Sequence, residues 1–124
     1  MASIANPTIS AKKTSGAGDN WDVTVEYDAL FSAFELTTAN FTYRDGFVLW
    51  EDDPFDNDQL TGVVAVSVFN PTVSPVHRKM TFRVSGDTLD TELGQEELFA
   101  VIRLRNLDLN ILKTRKTGIL KLSP

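Results

Sequence analysis

Residues 40–50 read N-F-T-Y-R-D-G-F-V-L-W, two runs of aromatic and β-branched residues around Asp45-Gly46. Both central residues of a type I′ turn need φ > 0, and an Asp-Gly pair tolerates it well. The stretch therefore predicts a two-residue β-hairpin, with Arg44 opposite Phe47, Tyr43 opposite Val48, Thr42 opposite Leu49 and Phe41 opposite Trp50. Side chains alternate across a strand, so Phe41, Tyr43, Val48 and Trp50 would form one apolar plate. Thr42, Arg44, Phe47 and Leu49 would form a mixed second face. Phe47 then leaves the core and marks a contact surface, as does Phe55 in the loop beyond.

The segments around this stretch alternate in the same way. Trp21, Val23, Val25 and Tyr27 point one way and Asp22, Thr24, Glu26 and Asp28 the other, as in a half-buried antiparallel strand. Met80, Phe82 and Val84 alternate with Lys79, Thr81 and Arg83, and Leu98, Ala100, Ile102 and Leu104 with Phe99, Val101, Arg103 and Arg105. Val63 to Asn70 is nearly free of polar side chains and predicts a strand buried on both faces, central in a sheet or at an interface. Ala29 to Ala39 reads two ways: Leu30, Phe31, Phe34 and Leu36 would suit one short helical turn, whereas Phe34, Leu36 and Thr38 would suit a strand, and a strand with an irregular start is favoured because Thr37 and Thr38 disfavour a helix. Thr8 to Lys12 suits a short edge strand, Lys113 to Thr117 a basic connection and Gly118 to Leu122 a last short strand. Residues 1–20, rich in Ala, Ser, Thr, Gly and Asn, are a candidate for partial disorder.

About eight strand candidates and no convincing helix predict an all-β fold, an antiparallel β-sandwich with a small β-barrel as the alternative. The 124 residues suit a single domain spanning 1–124, and 42% hydrophobic content supplies a core. Cysteine is absent, which excludes disulfides, thiolate catalysis and Cys-type zinc sites. The first ten residues have neither a positive region nor an apolar run, so they do not read as a signal peptide. With no cysteine and no membrane-length apolar stretch, a cytoplasmic protein without membrane insertion is expected.

Net charge is −5. Residues 1–58 hold 11 acidic and 3 basic side chains, a net −8, whereas residues 59–124 hold 6 and 9, a net +3. Such asymmetry can steer head-to-tail association or give the molecule a dipole, and two solvated surfaces are the simpler reading. The overall sign disfavours nucleic acid, which needs a concentrated basic surface.

The densest polar cluster is Glu51, Asp52, Asp53, Asp56 and Asp58. Calcium takes six to eight oxygen ligands from flexible loops, so Asp52, Asp53, Asp56 and Asp58 are the candidate metal ligands. Their order is not that of an EF-hand, and a solubilising loop is the simpler reading. A second acidic stretch, Asp87 to Glu97, would contribute only if the fold joined the two. Paired carboxylates in these loops would suit glycoside hydrolysis only across a cleft, which a small sandwich has little room to form. His77 is the only histidine and stands in no nucleophile context, so it reads as a strand-end surface residue. Gly16 and Gly18 belong to no nucleotide-binding unit. Trp21, Tyr27, Tyr43, Phe47, Trp50 and Phe55 would make a sugar-stacking platform if exposed, but most fall on inward faces. No cofactor and no catalytic residue is expected. The reading is a non-catalytic interaction module that binds itself or another protein. The alternative is calcium-dependent binding of a sugar, lipid or protein through loop 51–58.

Overall fold

The computed structural model describes residues 1–14, 20–52, 57–89 and 96–122, and these form an all-β structure of two antiparallel sheets. Its strands are β1 (Ser3–Lys13), β2 (Asn20–Leu30), β3 (Tyr43–Glu51), β4 (Asp58–Gln59), β5 (Val64–Phe69), β6 (Val76–Ser85), β7 (Glu96–Asn106), β8 (Ile111–Lys116) and β9 (Leu120–Leu122). A π-helical segment spans Phe34–Ala39, and a single helical turn, α1, spans Gly86–Leu89. Sheet A has the order β1-β2-β6. In sheet B, β3 and β7 pair along their length; β4 and β5 flank β3, and β8 and β9 flank β7.

The sheets meet at both margins. β1 lies against β8, where the Arg115 guanidinium donates to the Ile4 carbonyl at 2.8 Å. β6 lies against β5, where the Arg78 guanidinium sits 3.9 Å from the centre of the Phe69 ring. The core fills the space between. Val23, Val25, Tyr27 and Ala29 of β2 face Tyr43, Phe47 and Leu49 of β3 and Leu98, Ala100, Ile102 and Leu104 of β7, all at most 1% exposed. The alternating patterns of β2, β6 and β7 thus point as the sequence predicts.

The hairpin at Asp45-Gly46 does not form. Residues 43–51 are one strand, paired with β7 from Tyr43↔Asn106 through Glu51↔Leu98. Tyr43, Asp45, Phe47, Leu49 and Glu51 consequently share the inner face, while Arg44, Gly46, Val48 and Trp50 share the outer one. Phe47, expected at the surface, is fully buried, and Trp50, expected in the core plate, stacks on Phe99 outside. The tertiary environment overrides local turn chemistry. Asp45 accepts hydrogen bonds from Tyr27 and Arg78, and the missing side chain of Gly46 lets β5 approach. A Cβ at residue 46 would lie 3.0 Å from both Val63 Cγ1 and the Val64 carbonyl oxygen. There β5 makes a bulge, with its register shifting between Asp45↔Ser67 and Phe47↔Val64 and Ala65 at φ 55°.

Further segments differ from the sequence reading. The apolar run at Val63 is not a central strand but the margin of sheet B, with Val63, Val66 and Val68 about half exposed. The segment after Leu30 is helical rather than extended. Ser32 and Glu35 make reciprocal bonds, the Glu35 amide to Ser32 Oγ (3.2 Å) and the Ser32 amide to Glu35 Oε1 (3.0 Å), a capping box that starts the turn. Asn40 ends it in the left-handed region, and the Thr37 hydroxyl bonds back to the Ala33 carbonyl. The basic connection at Lys113 is strand β8, paired with β7. Residues 3–13, inside the stretch read as a candidate for disorder, form β1, with a bulge at Asn6-Pro7 where Asn6 donates to Asp28 at 2.9 Å.

Candidate functional site

The outer faces of the two sheets are chemically unlike. On sheet A the charges of β2 meet partners on its neighbours. Asp22 accepts from Arg83 Nε at 3.0 Å, and Glu26 and Asp28 each lie 2.9 Å from a ring nitrogen of His77. Lys79 stands opposite Glu26, Lys12 opposite Asp22, and the Thr24 and Thr81 hydroxyls are 3.1 Å apart. The hydrogen bond from Arg83 holds the Asp22 carboxyl below its ordinary value, and Glu26 and Asp28 hold His77 above its own. His77 is thus an exposed surface residue, as expected, clamped by two carboxylates.

Sheet B presents the opposite case. Its pairing sets Arg44 of β3 directly opposite Arg105 of β7, and Gly46 opposite Arg103. Val68 flanks Arg44 on one side, and Leu112 flanks Arg105 on the other. Among the described residues no carboxylate forms an ion pair with Arg44, Arg103 or Arg105; Arg105 donates to the Asn110 side-chain oxygen at 2.7 Å. Like charges directly opposite across a ladder are destabilising. The row continues through Val48 and Val101 to the stacked pair Trp50 and Phe99, whose planes are 4° apart, with Lys116 Nζ 4.6 Å from the Phe99 ring centre. Beside Gly46 lies a surface depression of about 220 Å³, lined by Arg44, Arg103, Arg105, Val63, Val66 and Leu112.

Between the sheets lies a buried polar cluster. The Asp45 side chain is 0% exposed and accepts from Tyr27 Oη (2.7 Å), Arg78 Nε (2.8 Å) and Arg78 Nη2 (3.1 Å). Burial, and then the Asp45 charge, push the Tyr27 hydroxyl far up, so it is a hydrogen-bond donor throughout the accessible pH range.

A second, smaller concavity of about 150 Å³ opens beside the π-helical segment, lined among others by Phe34, Glu35, Phe41, Tyr43 and Leu109. Glu35 is buried there. It accepts from Tyr43 Oη at 2.6 Å and the Ser32 amide, and lies 3.1 Å from the Met1 amine. Burial alone pushes its carboxyl up. The hydrogen bonds outweigh that and hold it at about 2, against an ordinary 4.5. A depressed folded-state value means stability that is present above about pH 4.5 and lost as pH falls towards 2. Glu35→Gln is expected to cost about 1–3 kcal/mol at pH 7 and much less near pH 2, read from urea melts of both proteins at the two pH values.

Of the four candidate metal ligands, Asp53 and Asp56 lie outside the described residues, as does Phe55. Asp58 is exposed and pairs with Glu51 at the β3–β4 bridge. The Asp52 amide donates to the Glu97 carbonyl at 2.7 Å, so the fold does bring the start of the first acidic stretch beside the end of the second. The Glu97 carboxylate itself lies 3.7 Å from Lys121. Among the described residues no group of three or more metal-ligating side chains converges.

Sequence reading marks Arg103 and Arg105 as outward but misses the arginine group, because Arg44 joins them only through the β3–β7 pairing. Among the described residues no helix is long and apolar enough to cross a membrane. No protein-family model and no curated protein matches the chain. It is similar to a solved structure described as the X-ray structure of Northeast Structural Genomics Consortium target SoR45, at 8% identity and TM-score 0.40, over 100% of this chain and 86% of that one. A likeness at that level carries no functional argument.

Proposed function

We propose that the protein is a non-catalytic, cytoplasmic β-sandwich interaction module that associates with further copies of itself through the outer face of sheet B. The observation that carries this reading is the unequal neutralisation of the two outer faces. Sheet A matches its charges internally, whereas sheet B leaves Arg44, Arg103 and Arg105 without acidic partners among the described residues. A chain of net −5 with one such basic face attracts the excess carboxylates of a second copy. The half-exposed valines of β5, on the margin of the same sheet, add apolar area to that contact. A basic face against carboxylates elsewhere on the next copy is a heterologous contact, which closes into rings or extends into filaments.

Light scattering across micromolar to millimolar concentration tests this. The average mass should rise with concentration at low salt and fall towards the monomer in 0.5 M NaCl, where the screening length drops to about 4 Å. Arg44→Glu combined with Arg103→Glu should hold the protein monomeric. A wild type that stays monomeric at high micromolar concentration in low salt would overturn the reading. Association that strengthens with salt would assign the contact to the valines and not to the arginines.

A further inference from the structure

We infer that the depression over Gly46 is a binding site for a compact, multiply charged oxyanion, a small molecule carrying phosphoryl or carboxylate groups. Three features assemble it. The β3–β7 register sets Arg44 against Arg105 and brings Arg103 beside the bare Gly46 backbone, so three guanidiniums from two strands border one clearing. A cross-strand pair has its Cβ atoms about 5 Å apart, close enough for two planar forks to address one anion. Asn110 holds Arg105 at 2.7 Å without neutralising it, so that guanidinium is positioned but keeps its charge. Gly46 sets the place of its valine wall, because a Cβ there would lie 3.0 Å from both Val63 Cγ1 and the Val64 carbonyl oxygen, so only a bare backbone lets β5 come this close.

Size and lining narrow the ligand. About 220 Å³ is several times the volume of one water and well short of a folded partner's footprint. Val63, Val66 and Leu112 line it together with the arginines, so the fitting ligand presents charge to the guanidiniums and a short carbon portion to the valines. Arg103 and Arg105 are half-buried, which reduces the solvent screening that weakens exposed charges. In the chain alone the Arg44–Arg105 juxtaposition is repulsive. A bridging dianion or trianion turns it into attraction, and a monovalent anion does so far less. Sheet A gives the internal comparison, since Arg83 there is already held by Asp22.

The site does not depend on self-association. Calorimetric titration with pyrophosphate and with citrate, at constant ionic strength set by NaCl, reads it directly. One anion per chain is expected, with sub-millimolar affinity for at least one of the two probes. Arg103→Gln should weaken that affinity tenfold or more, and Arg83→Gln on sheet A should leave it unchanged. Preference between the probes distinguishes a phosphoryl from a carboxylate ligand. No binding of either probe at millimolar concentration, or equal effects of Arg103→Gln and Arg83→Gln, would overturn the site. Light scattering in the same buffers separates the two proposals. Binding by a strictly monomeric protein supports the anion site while rejecting self-association.

Discussion

Phe47→Ala is expected to lower the unfolding free energy by about 3–5 kcal/mol, a fall in Tm of roughly 10–25 °C for a chain of this size. The ring is 0% exposed, lies opposite Ile102 of β7 and Val64 of β5, and belongs to the cluster that joins the two sheets. Removing it takes out the transfer free energy of a full aromatic side chain and leaves a cavity that strands paired on both sides of β3 cannot close. Phe47→Leu keeps most of the volume and should cost less, about 1–2 kcal/mol. Val66→Ala, at a half-exposed position, should lie within about 0.5 kcal/mol of wild type. The series also distinguishes two structures. A hairpin turning at Asp45-Gly46 would put Phe47 on the mixed outer face, and its truncation would then cost little. Urea melts that gave Phe47→Ala and Val66→Ala equal stability would reject the continuous strand.

The strands that sequence reading places correctly are those whose two faces differ. β2 and β6 have one face in the core and one towards water, and β7 alternates core residues with the arginines of its outer face, so their side chains alternate and their direction is legible residue by residue. β3 departs from that pattern for a reason no local window contains. Its inner face includes Asp45, whose charge is met by Arg78, 33 residues further on, and by Tyr27, 18 residues earlier. Seen locally, an aspartate before a glycine is a turn; with those partners it is an interior strand position. β5 misleads in another way. A run of valines is apolar whether it lies in a core or on a margin, and composition alone does not distinguish the two. Ser32 and Glu35 have the spacing of a capping box, a signal that the sequence reading passes over because two threonines at 37 and 38 argue against a helix. They are accommodated because the segment is a single wide turn, with Thr37 bonding back to Ala33. The arginine group of sheet B is the least local feature, since Arg44 and Arg105 meet only when β3 and β7 pair.

Asp45→Ala should be comparably damaging, at about 3–5 kcal/mol, by a different mechanism. The carboxylate is the acceptor for three hydrogen bonds between the sheets, and two of them come from one guanidinium. Without it, Arg78 keeps its charge, because arginine does not deprotonate in the accessible range, and Tyr27 keeps a buried hydroxyl with no acceptor. The loss therefore includes desolvation of groups left behind and exceeds the net worth of the bonds removed. Two companion variants separate these contributions. Tyr27→Phe removes one donor and leaves the ion pair, so about 1–2 kcal/mol is expected. Arg78→Met removes the positive charge but strands the buried Asp45 carboxylate, which should cost nearly as much as Asp45→Ala. The double variant Asp45→Ala/Arg78→Met leaves neither charge uncompensated, and it should be more stable than the sum of the two single losses implies. A coupling energy of about 2 kcal/mol or more in that cycle is the expected signature of a buried pair, and strict additivity would mean that Arg78 and Asp45 act independently. The same cycle bears on the outer face. Arg78 is the guanidinium that this sandwich neutralises in its interior, whereas Arg44, the side chain next to Asp45 in sequence, points the other way and meets no carboxylate among the described residues.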